Sequence, residues 1–114
     1  MSRCAYALVL AWVALPAAGA SGTDPTGAYA FDLEPGKVHE VCLRLEAGQK
    51  RSYEWSADAP ADFNIHYHRG DDVFYPVKRD ATHSEEGTFT AKTGEDYCWM
   101  WTAKGRMKVR GTIR

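Results

Sequence analysis

The sequence has almost no excess of charge of either sign: 14 Lys and Arg stand against 15 Asp and Glu, a formal net charge of −1 at pH 7. That balance removes the whole-chain pull toward nucleic acid exerted by a strongly basic domain, so no nucleic-acid partner is expected. No stretch of ten or more residues shows helical periodicity, which argues against a helical domain. No apolar run reaches the roughly 20 residues that span a bilayer, and no membrane span is expected. There is no C-x-x-C pair of the redox or metal type and no Gly-x-Ser-x-Gly elbow. Ser84 follows His83 without an oxyanion loop, and Asp71-Asp72 and Glu85-Glu86 read as solvated carboxylates of loops. No enzyme is expected. Internal repeats and low-complexity segments are also missing.

What is present begins with an export signal over residues 1–20. Arg3 gives a positive start, residues 5–15 an apolar stretch and Ala18-Gly19-Ala20 an A-x-A cleavage site. Cys4 precedes the apolar stretch, which argues against a lipoprotein anchor. The expected address is the bacterial periplasm or the medium. Residues 21–27 read as a flexible lead-in, and residues 28–114 as one domain, the size suiting one and the 45% hydrophobic content being too high for a disordered tail. Of three cysteines, Cys42 and Cys98 remain after cleavage. In an oxidising compartment that even count reads as one disulfide.

From residue 28 onward, short alternating runs are separated by Gly, Pro and Asp clusters, the pattern of an all-β sandwich or barrel. Eight strands are predicted, at 28–33, 38–46, 49–57, 62–68, 73–77, 87–92, 95–103 and 106–113, giving an antiparallel β-sandwich of about eight strands with a single disulfide. Turns are expected at Glu34-Pro35-Gly36, at Ala47-Gly48-Gln49 as a hairpin connection, at Asp58-Ala59-Pro60 and at Arg69-Gly70-Asp71-Asp72. Residues 78–86 read as a polar loop. Pro76 lacks a backbone donor, which puts its run at an edge or ends it there. Alternation places Phe63, Ile65 and Tyr67 on one face and Asn64, His66 and His68 on the other. Tyr97, Trp99 and Trp101 likewise share a face opposite Cys98 and Met100. Cys42 and Cys98 both leave the aromatic side, which favours a bridge on the outer face pinning neighbouring strands over one through the core.

The order of elements resembles the GOLD (Golgi dynamics) domain, the lumenal β-sandwich of transmembrane cargo receptors of the early secretory pathway. The resemblance covers residues 38–113 and rests on Glu40-Val41-Cys42, Gly48, Tyr53, Asp62-Phe63-Asn64-Ile65, Val73, Tyr75, Gly87-Thr88-Phe89 and Tyr97-Cys98-Trp99. It implies a sandwich closed by Cys42 and Cys98 and binding without catalysis. The coiled coil and membrane span of those receptors have no counterpart in this sequence.

His66-Tyr67-His68 is the sharpest chemical signal, because imidazoles at i and i+2 of a strand lie roughly 6.5–7 Å apart at Cα on one face. Such a pair suits copper or zinc, with a third ligand from Asp71, His83 or Met100; exposed histidines on a wet face are the plainer reading. Trp99 and Trp101 read as core, and form an exposed platform for a partner only if their strand is flipped. Arg106, Lys108, Arg110 and Arg114 make a basic stripe that either guards an edge strand or attracts anionic envelope components. The leading expectation is an exported, non-catalytic module that recognises a protein or envelope component. A periplasmic copper- or zinc-binding protein and an inhibitor of an extracellular hydrolase are the alternatives.

Overall fold

The computed structural model describes residues 25–114, and the expected export signal lies outside them. Six antiparallel strands follow one another: β1 (Gly27–Leu33), β2 (Val38–Leu45), β3 (Lys50–Arg69), β4 (Asp72–Thr90), β5 (Glu95–Ala103) and β6 (Met107–Ile113). No helix occurs among the described residues. All-β antiparallel architecture and the single Cys42–Cys98 disulfide are as the alternation and cysteine count predict. The strand count is six because two pairs of predicted strands are continuous.

Residues 58–60, predicted as a turn, are a bend inside β3, where the register with β4 shifts between Ser56 and Ala61. Pro60 is tolerated there because an irregular ladder does not require its missing N–H. Residues 78–86, predicted as a loop, are the middle of β4. They are polar because β4 pairs with β3 alone and its bent centre faces solvent. The turn at Gly48 forms, with φ of 87° and a Gln49 N–H to Glu46 carbonyl bond of 3.0 Å. It is not a hairpin, however, since β2 pairs only with β5 and the chain crosses to the other layer.

β3 is the spine of the molecule. β4 covers one side of it along its whole length. Its other side is shared by β6, opposite 53–57, and then β5, opposite 61–66. β1 lies along the far side of β6 and β2 along the far side of β5. The result is a broad ribbon of end-to-end strands folded over at residues 57–61. Its two layers face each other: Trp55 meets Phe63 at 5.3 Å between ring centroids, Tyr29 meets Trp101 at 5.3 Å and Phe89 meets Trp99 at 5.7 Å.

The alternating aromatic residues therefore fill the space between layers. Trp99, Trp101, Ile65, Leu45 and Ile113 expose no surface. Each large apolar side chain so buried contributes about 1.5–3 kcal/mol. Gly111 is part of this packing. A Cβ there would clash with the Glu54 carbonyl and come within 2.6 Å of the Tyr29 hydroxyl, so only glycine lets Tyr29 cross β6 toward Trp55.

Candidate functional site

β3 and β4 form a true hairpin through Arg69-Gly70-Asp71-Asp72, with Gly70 at φ 60°. β4 then opens with Val73, Phe74 and Tyr75, three consecutive apolar residues that stay 38%, 39% and 48% exposed. Because β4 has a neighbour on one side only, the backbone of this stretch is free along its other edge. Phe74 stacks on Tyr67 at 5.1 Å and 13°, Tyr67 meets Tyr97 edge-on at 5.3 Å, and Tyr97 meets Phe89 at 5.0 Å. These four rings, with Val77 and Lys92, line a cleft of about 600 Å³ between the layers.

The rim of the cleft is basic. The Arg69 guanidinium lies 5.7 Å from the Tyr67 ring centre and 5.6 Å from that of Phe74, and donates to Glu95 at 2.6 Å. Lys78 stands 5.5 Å over Tyr75. Neither Lys78 nor Lys92 has a carboxylate partner among the described residues. The arrangement offers an apolar floor, an open strand edge and uncompensated cations, the ingredients of a surface for an extended segment of another protein.

A second cluster lies on the outer face of the layer built from β2, β5 and the second half of β3. Cys42, Cys98 and His66 stand side by side across the three strands, and so do Glu40, Met100 and Asn64. The disulfide thus pins β2 to β5 on the outside, with 4.0 Å between Cα atoms. His66 is 3% exposed, not on a wet face. Its Nδ1 lies 2.7 Å from Asn64 Oδ1. That amide oxygen only accepts, so Nδ1 carries a proton, and in the neutral imidazole the Nε2 lone pair faces Glu40 Oε1, 3.5 Å away. The His68 ring stands edge-on to His66 at 5.2 Å, and Tyr75 lies 5.8 Å from it. Burial pushes the His66 imidazole below its ordinary pKa; Glu40 opposes that shift and His68 adds to it.

The structure keeps His66 and His68 together and leaves two predicted ligands elsewhere. Asp71 is at the hairpin tip, and His83 lies on β4 opposite the bend of β3. Met100 stays close, between Glu40 and Asn64 in the ladder. Among the described residues, the one group of three ligating side chains within 4.8 Å is Glu40, Cys42 and Cys98, and its sulfurs are bonded to each other. Trp99 and Trp101 are core residues, so the flipped-strand platform is not formed.

The basic stripe runs along β6, which β1 and β3 flank, so it guards no edge strand, and it is paired only in part. Arg106 pairs with Glu34 at 3.2 Å, Arg114 approaches Glu54 at 4.0 Å, and Lys108 lies opposite Asp32. Arg110 alone has small neighbours, Ala30 and Ser56. Sequence reasoning placed Asn64 on the face of His66 and His68 without giving it a role, and missed Glu40 and the exposed Val73-Phe74-Tyr75 run. Glu40 carries no spacing signal, while the run is an apolar triplet that breaks alternation.

No known protein family matches this sequence, and no curated protein matches it. The fold is similar to the pre-peptidase C-terminal domain of collagenase from Bacillus anthracis, with a TM-score of 0.58 at 12% identity over 78% of this chain and 89% of that one. It is also similar to Aeromonas hydrophila PliG, a periplasmic lysozyme inhibitor of g-type lysozyme, with a TM-score of 0.52 at 10% identity over 78% of this chain and 86% of that one. At these identities the likeness is one of fold.

Proposed function

We propose that this chain is an exported, non-catalytic β-domain that binds another protein, gripping an extended segment of it along the free edge of β4. The observation that carries this reading is the exposed Val73-Phe74-Tyr75 run beside an aromatic cleft with a free strand edge. The export signature and the disulfide support an oxidising address. The resemblance to GOLD domains points to binding as well. One protein of similar fold inhibits a lysozyme in the periplasm, so the narrower form of the proposal is an inhibitor of an extracellular hydrolase.

The test adds the purified chain to g-type lysozyme acting on a peptidoglycan suspension, beside a Phe74→Ala/Tyr75→Ala variant. Inhibition by the wild type that the variant loses supports the narrower form. If the wild type does not inhibit, both proteins are immobilised and exposed to an envelope extract from the host. A protein held by the wild type and released by the variant supports the broader reading, and identical capture by the two overturns it.

A further inference from the structure

We propose that Glu40, His66 and His68 bind one divalent cation of the zinc class on the outer face, independently of the aromatic cleft. The geometry carries the proposal. Glu40 and His66 reach toward each other from β2 and β3 across the intervening β5, and two electron-pair donors, the carboxylate Oε1 and the Nε2 of the neutral imidazole, end 3.5 Å apart. With the imidazole neutral, two lone pairs facing at that distance repel unless a proton or a cation lies between them. In a tetrahedral zinc site with bonds of about 2.0–2.1 Å, neighbouring ligand atoms are about 3.3 Å apart, so the pair already has nearly the bite that zinc requires.

The support around His66 is that of a ligand. Its Nδ1–H is spent on Asn64 Oδ1 at 2.7 Å, which fixes both the tautomer and the ring plane and leaves Nε2 for a cation. Asn64 is itself buried, and these two are the buried polar residues of the described chain. The disulfide between Cys42 and Cys98 lies alongside on the same face, locking the strand that carries Glu40 to the strand between it and His66. His68, exposed and with its ring centre 5.2 Å from that of His66, supplies the third donor by turning about its side-chain bonds. Two imidazoles and a carboxylate suit zinc and leave a fourth position to water. The set differs from the one expected from sequence, with Glu40 in place of Asp71, His83 or Met100.

The experiment is a calorimetric titration of the purified, disulfide-bonded chain with Zn²⁺ at pH 7.5 after chelator treatment, paired with thermal melting. One zinc per chain is expected, with a melting temperature that rises on binding. His68→Ala and Glu40→Gln each alter a side chain with exposed surface and leave the fold intact; each is expected to weaken binding at least tenfold and to shrink the thermal shift. Asp71→Asn and His83→Ala are expected to bind as the wild type does. His66→Ala, checked by near-ultraviolet circular dichroism for retained packing, is expected to abolish binding. If no saturable one-to-one uptake occurs, or His68→Ala and Glu40→Gln bind like the wild type, the proposal is overturned.

Discussion

Asp62 ties the fold together at the point where β3 passes from one layer to the other. Its Oδ1 accepts the Ala81 N–H at 2.9 Å, and Lys104 Nζ lies 3.3 Å from its other oxygen. Ala81 is the single non-glycine residue with positive φ among those described, at 49°, a conformation that costs about 1–2 kcal/mol. The Asp62 bond helps hold it there. The Ala81 hydrogen bond first, and Lys104 after it, keep the carboxyl below its ordinary range. A lowered folded-state pKa means stability that is fully present above the unfolded value and lost as pH falls through the folded one. Asn keeps an oxygen that accepts the Ala81 N–H and solvent screens the lost charge, so Asp62→Asn is expected to cost at most about 1 kcal/mol at neutral pH. In urea denaturation, the gap between wild type and variant should close as the pH drops below the carboxylate range; a constant gap would exclude the charged Asp62 as its source. None of this was visible in the sequence, since Asp62 meets Ala81 only because β4 continues through a stretch that looks like a loop. His66 is a similar case. Its face was legible from alternation, but its burial comes from side chains contributed by other strands.

At the scale of elements, alternation identified the buried faces of β3, β5 and β6 because each has a wet side and a dry side. It failed at the bends, where Asp58-Ala59-Pro60 and the polar middle of β4 carry turn chemistry within continuous strands. Pro76 was correctly assigned to an edge, and its role there is specific. The run Val73-Phe74-Tyr75 is exposed, apolar and rich in strand formers, a ready template for pairing with another copy. Pro76 interrupts the row of donors directly after it. Pro76→Val restores an N–H and lengthens the open edge, so the variant is expected to self-associate at concentrations where the wild type stays unassociated. Analytical ultracentrifugation of both proteins over a concentration series reads this directly, and matching profiles would remove the guarding role from Pro76.

For the molecule as a whole, the disulfide joins residues 56 apart in sequence, yet it sits on the outside of one layer and not in the core. Its contribution comes chiefly from restricting the unfolded chain, about 4 kcal/mol for a loop of this length. Reduction is expected to lower the denaturation midpoint substantially while the aromatic core, which does not include the sulfurs, keeps its near-ultraviolet signature under mild conditions. Loss of that signature on reduction in the absence of denaturant would show that the layers cannot hold together without the bridge. The ladder between the outermost segments has a different consequence. Gly27 at the start of β1 lies opposite Ile113 at the end of β6, so the polypeptide enters and leaves this domain at neighbouring points. A pull applied through both ends would load that antiparallel pair as a zipper, opening it one hydrogen bond after another instead of shearing the ladder at once. Under tension the domain would yield from this edge at low force, while the second layer, stapled by its disulfide, would be the last to extend.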